Sequence, residues 1–293
     1  MILVTGAGGL SGSIVIHEFV RQGVPVRALI RNGARARGLD RLASVEVVEG
    51  DMLRPSTLRA ALDGVRRALM ISSSDERMVE TQCTFVDAAR AAGVGHIVKF
   101  SGAESGIGFD PANFRFTRMH EEIERYLDGS GPAWTHLRPS QFMQVYLREV
   151  RTIVAEDAFF LPMADASLSP VDLADVAKVA VTILRDGGHE SRGYDMTGPE
   201  ALTGTQVAEH LSAAAGRPIR YVDVTPEQAR RAWLAAGMPP ERADALGELF
   251  SERRGHPESR VYLGTHEAFA VRPTTFREFA HRNAAAFRGE PAP

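Results

Sequence analysis

The chain opens with an apolar run followed directly by an amphipathic stretch. The run Met1–Thr5 predicts a strand, four glycines follow within the next seven residues, and the apolar spacing over Leu10–Arg21 predicts a helix. A strand, a glycine-rich turn and a helix in this order are typical of a pyrophosphate site. The free N–H groups and the positive end of the helix meet the ligand's negative charge there. We therefore predict a dinucleotide site at the start of the chain.

The glycine spacing alone is weaker evidence than its context. The pattern G-x-G-x-x-G would need glycine where the chain has Ser11, whereas Gly6, Gly9 and Gly12 satisfy G-x-x-G-x-x-G. The alternative is an ordinary tight turn that needs a positive φ. The strand before the glycines and the helix after them favour the nucleotide interpretation.

Strands and helices continue to alternate, which predicts parallel strands joined by right-handed crossovers. Further strands are predicted at Pro25–Arg31, Val45–Glu49, Ala68–Ser72, His96–Phe100 and Trp134–Arg138, and helices at Ala34–Leu42, Ser56–Leu62, Asp75–Ala92 and Phe114–Leu127. Six strands are the count of a doubly wound dinucleotide fold. We expect the α/β class, a Rossmann-type doubly wound parallel sheet, with residues 1–143 as a dinucleotide-binding domain.

Beyond residue 143 the alternation loosens. Helices are predicted at Asp172–Arg185, Thr203–Ala215, Pro226–Gly237, Pro240–Arg253 and from Thr275 to Phe287, with strands at Gly193–Thr197 and Ile219–Val224. We expect residues 144–293 to form a smaller, mostly helical C-terminal substrate region, with some segments packing back on the sheet. Ala103–Asn113 reads as a glycine-rich loop beside the site, and the last five residues as a frayed tail.

Composition excludes several classes of protein. The 293 residues carry a formal net charge of −3 without a basic block, so neither nucleic acid nor an anionic membrane is an expected partner. Cys83 is the only cysteine, which excludes an internal disulfide and a cysteine-ligated metal, and no metal is expected. No signal peptide or membrane-length apolar run is apparent, so we expect a cytoplasmic protein. The oligomeric state stays open, with a homodimer among the alternatives.

The end of the second strand bears on the choice of cofactor. Enzymes that hold NAD usually place an acid there, whereas an arginine accommodates the 2′-phosphate of NADP. Here Arg31 and Asn32 occupy the position, and no acid follows until Asp40. We therefore predict NADP(H) in preference to NAD(H), the alternative being a solvated arginine. Arg35 and Arg37 either assist or are simply exposed.

Other polar residues at strand ends have two interpretations each. Asp51 lies along the adenine edge or shapes the following turn. One of Ser72, Ser73 and Ser74 is expected to cap the next helix, and the strand end also lies where the cofactor should cross; both roles are compatible. His120 and Glu124 share a helix face. They form either a surface pair or a functional one, in which His120 reaches the nicotinamide or substrate and is oriented by a neighbouring acid.

One common mechanism is excluded by the sequence. Many reductases on this fold place a tyrosine four residues before a lysine, whose charge lowers the pKa of the phenol. This chain has two lysines, Lys99 and Lys178, and the residues four before them are Gly95 and Ala174. The tyrosine-lysine pair is therefore absent.

Taken together, several motifs resemble the NmrA-like family of atypical short-chain dehydrogenase/reductases, and within it the bacterial NADPH:quinone oxidoreductases and azoreductases. The motifs are ILVTGAGGLSG, the Arg31-Asn32 pair, ISSS at the fourth strand, HEEIE from His120 and THLRPSQFM from Thr135. The resemblance implies contacts to NADP from Gly6, Gly9, Leu10, Ser11, Arg31, Asp51, Ser72 and Ser73, and an approach to the nicotinamide by Ser101, His120, Ser140, Gln141 and Phe142. Gly12 in the glycine turn and Asn32 beside Arg31 are further cofactor-binding candidates.

The family's isoflavone and phenylcoumaran reductases use a lysine near the start of the helix that carries His120. No lysine occurs in Phe114–Arg118, so those activities are not expected. The sequence predicts an NADPH-dependent oxidoreductase that passes a hydride to a quinone or similar conjugated acceptor, with His120 and Ser101 as catalytic candidates. The alternatives are a non-catalytic NADP(H)-sensing regulator and a dedicated biosynthetic reductase for a polycyclic aromatic ketone or enone.

The substrate is expected to be a small aromatic or quinone-like molecule bound between the strand ends and the C-terminal region. Each candidate pocket wall has the alternative of being a core residue, since large aromatic side chains are usually buried. The candidate walls are Phe142, Tyr146, Phe159, Phe160, Trp233 and Phe250.

Overall fold

A computed structural model describes residues 1–33, 36, 38–102, 112–256 and 258–290. The chain divides into two compact units that interleave along the sequence. The first, which we call the sheet unit, comprises Met1–Gly102, Arg118–Arg138 and Leu173–Tyr194; the second unit comprises the rest. A single cut in the chain therefore does not separate the two units.

The elements are numbered in chain order. The strands are β1 (Ile2–Val4), β2 (Val26–Ile30), β3 (Val45–Glu49), β4 (Arg67–Met70), β5 (His96–Phe100), β6 (Ala133–Pro139), β7 (Ala158–Leu161), β8 (Ser167–Leu168), β9 (Arg192–Met196), β10 (Leu202–Thr203) and β11 (Arg220–Asp223). The α-helices are α1 (Leu10–Arg21), α2 (Pro55–Leu62), α3 (Met78–Ala91), α4 (Arg115–Asp128), α5 (Val150–Glu156), α6 (Leu173–Asp186), α7 (Gly204–Ala215), α8 (Pro226–Ala235), α9 (Pro240–Gly255), α10 (Gly264–Ala268), α11 (Phe276–Arg282) and α12 (Ala284–Arg288).

A seven-stranded sheet in the order β3-β2-β1-β4-β5-β6-β9 forms the centre of the sheet unit. The five neighbouring pairs from β3 to β6 are all parallel. Residues of the central strands such as Leu3, Val98 and Leu69 are fully buried, because helices cover both faces of a parallel sheet. On the helical layers α1 packs against α6, and α2 against α3. The predicted Rossmann-type α/β fold is confirmed.

The second unit is mostly helical and holds two small sheets. In one of them β7 pairs with β11 in parallel, and in the other β8 pairs with β10 antiparallel. Its core contains the fully buried rings of Tyr146, Phe159 and Phe276. Thr203 and Thr275 each begin a helix with a reciprocal capping box, which satisfies backbone N–H groups that the first turn leaves unpaired.

Several predicted elements match closely and others need correction. The third and fifth strands have the predicted bounds. The sheet has seven strands rather than six, because β9 adds beside β6. The prediction that a serine caps the third helix was wrong. Helix α3 begins after Arg77, whose side chain does not cap it, and the Asp75 carboxylate accepts the Arg77 N–H. The last predicted helix is two helices that meet at Asn283.

Other differences lie in short or irregular segments. The described part of Ala34–Leu42 forms only a 3-10 turn over Leu39–Arg41; Ala34, Arg35 and Arg37 lie outside the described residues, as do most of the loop Ala103–Asn113 and the last three residues. The strand β7 and the helices α5 and α10 were not predicted. Among the described residues, no helix has the length and apolar character needed to cross a membrane.

Candidate cofactor and catalytic site

The glycine turn after β1 is shaped by backbone contacts that exclude side chains. Gly6 adopts a φ of 61°, and a Cβ there would lie 2.8 Å from the carbonyl oxygen of Ile71. A Cβ on Gly12 would lie 2.3 Å from the carbonyl oxygen of Gly6. The turn is closed by a hydrogen bond from the Gly9 N–H to the Gly6 carbonyl oxygen, 2.9 Å long. These glycines therefore keep an open backbone cradle.

The helix α1 begins at Leu10 with Gly9 as its N-cap and no side-chain cap. The first N–H groups of a helix, here those of Leu10, Ser11 and Gly12, have no acceptor within the helix itself. Together with the positive end of the helix dipole they suit an anion. The cradle and the helix end thus fit the pyrophosphate of a dinucleotide.

The candidates at the ends of β2, β3 and β4 differ in what they contact. Arg31 and Asn32 follow β2 directly and are exposed. Asp51 accepts the Leu53 N–H at 3.0 Å, which supports its interpretation as a turn-forming residue. Ser72 is held by the Gln82 amide at 2.9 Å, while Ser73 is exposed.

A polar network lies at the carboxyl end of β5. The Nζ atom of Lys99 is 2.7 Å from Nδ1 of His120 and 3.0 Å from the Ser101 hydroxyl. The Ser101 hydroxyl donates to Glu124 at 2.5 Å, and the Arg138 guanidinium donates to the same carboxylate at 2.5 and 3.0 Å. Lys99 is fully buried, and Ser101 and Glu124 are also buried. Strand β5, helix α4 and strand β6 therefore each supply a member of one connected network.

Electrostatics give the network a definite charge pattern. Burial lowers the pKa of Lys99 to about 7, an effect that Glu124 opposes and Arg138 increases. Burial acts against the charge of Glu124, but hydrogen bonds, above all from Arg138, hold the pKa of its carboxyl below the ordinary value. Burial and the charge on Lys99 hold the pKa of His120 well below its ordinary value. Near neutral pH, Glu124 is anionic and His120 neutral.

Two parts of the predicted relation between His120 and Glu124 were wrong, namely the surface pair and the orientation of His120 by a neighbouring acid. Glu124 is 6% exposed, so it does not belong to a surface pair. Its partners are Ser101 and Arg138, whereas the partner of His120 is Lys99. A lysine rather than an acid therefore orients the imidazole.

Lys99 is the functional candidate that sequence reasoning missed. In the sequence, Lys99 bears only on the absence of a tyrosine-lysine pair. The available signal was its position inside HIVKF, an otherwise apolar strand whose five residues are all buried. Lysine is almost never fully buried unless it is paired, so a lysine in such a strand indicates polar partners in the fold.

The three loop candidates after β6 belong to the second unit. Ser140 is buried and donates its hydroxyl hydrogen to the Ser169 carbonyl oxygen at 2.6 Å, and its N–H bonds the Met196 carbonyl oxygen. Phe142 forms a bridge with Val171. Backbone pairing therefore fixes the conformation of this loop.

The aromatic candidates for pocket walls are mostly packed into the core of the second unit. Tyr146 and Phe159 are fully buried, with ring centroids 5.8 Å apart in an edge-on arrangement. Phe250 is also buried and stacks on the partly buried Trp233 at 5.9 Å. This supports the core alternative for Tyr146, Phe159 and Phe250, because a side chain packed on all sides leaves no face for a ligand.

The parallel sheet and the glycine turn at the carboxyl end of its first strand define a Rossmann-type fold. A model of the NmrA-like family matches residues 1–280. An NAD(P)H azoreductase from Xenophilus azovorans is 39% identical over 289 residues, covering 98% of this chain and 99% of the azoreductase. Quinone oxidoreductase 2 of Escherichia coli is 30% identical over 290 residues, covering 92% and 99%. The chain therefore belongs to the NmrA-like family, which confirms the resemblance seen in its sequence.

A solved structure supports the same assignment. The crystal structure of an NADPH-dependent quinone oxidoreductase from Escherichia coli, complexed with NADPH, matches this chain with a TM-score of 0.84 and 27% identity. The match covers 96% of this chain and 99% of that one. The whole fold, rather than the dinucleotide-binding part alone, is therefore similar.

Proposed function

We propose that this protein, an NAD(P)H-dependent oxidoreductase of the NmrA-like family, uses NADPH to reduce quinones or similar conjugated acceptors. The observation that carries the proposal is the polar network around His120, which lies in the same unit as the glycine cradle. Because β1, β4 and β5 run parallel, the turn after β1 and Ser101 after β5 lie at the same edge of the sheet. The similarity to an NAD(P)H azoreductase and to a quinone oxidoreductase supports this proposal.

The residues that would hold the cofactor fall into two groups in the sheet unit. The cradle of Gly6, Gly9 and Gly12 and the first N–H groups of α1 would bind the pyrophosphate. Arg31 would pair with the 2′-phosphate, since an exposed guanidinium at this strand end can make a bidentate contact with an anion. This contact is our reason for proposing NADPH over NADH.

When bound, the reduced nicotinamide supplies a hydride to the acceptor. The protein's task is to position the acceptor and to stabilise the negative charge that develops on its oxygen. His120 is partly buried and neutral, and donates a hydrogen bond to that oxygen through the nitrogen that does not face Lys99. A conjugated acceptor spreads the charge over its ring, so no tyrosine-lysine pair is needed.

Consumption of NADPH with a panel of quinones, followed by the absorbance of the reduced nicotinamide and run in parallel with NADH, tests the proposal. We expect turnover with quinones and a preference for NADPH. Binding of NADPH without turnover on any quinone or azo acceptor would contradict the reductase function and favour a cofactor sensor. Equal use of both nucleotides would contradict the cofactor preference alone.

Substitution of His120 tests its place in the reaction. His120→Gln removes the proposed donor and should lower kcat on the order of 100-fold with little change in the Kd for NADPH. His281→Gln is the matched control, because His281 is an exposed histidine on α11. Unchanged kcat in H120Q would remove His120 from the mechanism.

A further inference from the structure

We propose that Lys99 fixes His120 in the tautomer with its proton on Nε2, and supplies a proton to Nδ1 when Nε2 gives its own proton to the substrate. This role rests on the proposed reduction of a conjugated oxygen acceptor and goes beyond it by naming the source of the proton. Lys99 acts through His120 and does not touch the substrate. It is therefore a positioning and proton-supplying residue.

The directions of the hydrogen bonds follow from the donors available. An ammonium group has hydrogens to donate and no lone pair, so Nδ1 of His120 must accept from Lys99 at 2.7 Å. In a neutral imidazole the proton then sits on Nε2. The single hydrogen of Ser101 goes to Glu124, so its oxygen accepts from Lys99. The chain of contacts therefore specifies one tautomer of His120.

The free side of the imidazole faces away from the lysine. Within the described parts of the chain, Nδ1 is the only His120 ring atom with a hydrogen-bonding partner, and the residue is only partly buried. The N–H at Nε2 is therefore left to serve a ligand.

The proton balance closes without an added reactant. Hydride transfer leaves a quinone as the hydroquinone monoanion, which needs one proton. The bond between Nε2 and its hydrogen breaks as the new O–H bond forms, and Nδ1 takes a hydrogen from Nζ, so that His120 stays neutral and Lys99 becomes a neutral amine. Solvent then returns one proton and the two residues exchange back.

The surroundings of Lys99 suit a group that can release its proton. His120 and Glu124 face it from α4, Arg138 from β6 and Cys83 from α3. Burial lowers the pKa of the lysine to about 7, with Glu124 opposing this effect and Arg138 adding to it. Burial raises the pKa of the Cys83 thiol to about 11, so this group adds no charge near neutral pH. The Lys99 ammonium can therefore release a proton near neutral pH.

The first experiment reads the tautomer directly, in the protein without cofactor. Nitrogen NMR of the imidazole rings, assigned by comparison with H120Q, should show His120 with its proton on Nε2 and an unprotonated, hydrogen-bonded Nδ1. In K99M this preference should be lost and His120 should become charged at a higher pH. A proton on Nδ1 in the wild type, or the same His120 signals in K99M, would overturn the proposal.

The second experiment tests whether Lys99 supplies the proton, by measuring how kcat depends on pH. In the wild type, kcat should fall as the pH rises above about 7, the value at which Lys99 loses its proton. K99M should lower kcat at least tenfold and abolish this fall, with the Kd for NADPH unchanged. K178M, which changes the chain's other lysine, is the control and should retain the wild-type profile.

A smaller side chain gives a further check in case methionine disturbs the core. K99A leaves room for an amine, so added ethylamine should restore part of its kcat in a saturable way, and a tertiary amine of larger size should not. Wild-type activity in K99M or K99A at every pH would overturn the proton-supply role while leaving the proposed function intact. If the wild type reduces no acceptor, both the proposed function and the proton-supply role of Lys99 are overturned. The NMR experiment needs no acceptor, so it decides the tautomer of His120 separately.

Discussion

Replacing Lys99 with methionine is expected to change the pH dependence of folding stability in a calculable way. The pKa of this buried lysine falls from its ordinary value of 10.5 to about 7. Each pKa unit corresponds to about 1.4 kcal/mol, so the charged form costs the native state roughly 5 kcal/mol at pH values below 7. Between the two pKa values the unfolded chain keeps a proton that the native chain has lost. Native stability therefore rises with pH through this window.

Methionine has a similar length and no charge, so K99M lacks the pH-dependent cost of burying a charged lysine. Its free energy of unfolding relative to the wild type should fall by about 3 kcal/mol between about pH 6 and pH 9, as the wild type recovers its stability. Two lost hydrogen bonds, to His120 and Ser101, reduce the stability of K99M by about 1 kcal/mol each at both pH values. The lost hydrogen bonds shift the difference in free energy of unfolding between K99M and the wild type by the same amount at every pH. They therefore leave its pH dependence unchanged.

The assay is urea denaturation at a series of pH values, followed by far-ultraviolet circular dichroism. Fluorescence in a Trp233→Phe background adds a probe of the sheet unit, since Trp134 on β6 is then the only tryptophan. K178M controls for the loss of a lysine. The predicted quantity is the free energy of unfolding of K99M minus that of the wild type, which should fall as pH rises. A value that is independent of pH, or that rises with pH, would refute the reasoning.

Two substitutions test the proposed cofactor site. Gly12→Ala would place a Cβ 2.3 Å from the carbonyl oxygen of Gly6, and should destabilise the fold by about 1–3 kcal/mol and weaken NADPH binding more than tenfold. Gly247→Ala is its calorimetric control, because no atom of the described residues lies within 4 Å of a Cβ there. Arg31→Glu should raise the Kd for NADPH about 10- to 100-fold and that for NADH much less, with Arg59→Glu as a control for exposed charge. Equal losses for both nucleotides would contradict the cofactor assignment.

Periodic and apolar patterns predicted the sheet well because parallel strands are covered on both faces. A strand such as His96–Phe100 reads as a short, mostly apolar run bounded by a glycine on either side within two residues, and its predicted bounds agree with the structure. The short elements of the second unit carry no such signal. Strand β7 has four residues, and its pairing with β11 joins segments about 60 residues apart, which no local pattern reveals.

The candidate site was harder to predict, because its connections are tertiary. The spacing of His120 and Glu124 indicated a shared helix face, yet the partners of each side chain lie on different strands. Glu124 turns towards Arg138 and Ser101 because a buried carboxylate must be paired and hydrogen-bonded. His120 meets a lysine that lies 21 residues earlier. Such pairs become visible only when the order of strands is known.

The identity of the buried cation is itself informative. The chain has 34 lysine and arginine residues, of which only Lys99 and Lys178 are lysines, so arginine is its ordinary basic residue. An arginine keeps its charge at every accessible pH, whereas the pKa of a lysine responds strongly to burial. At position 138 the permanently charged guanidinium of arginine forms an ion pair with Glu124. At position 99 the group must both donate to His120 and be able to lose a proton, and lysine meets both requirements.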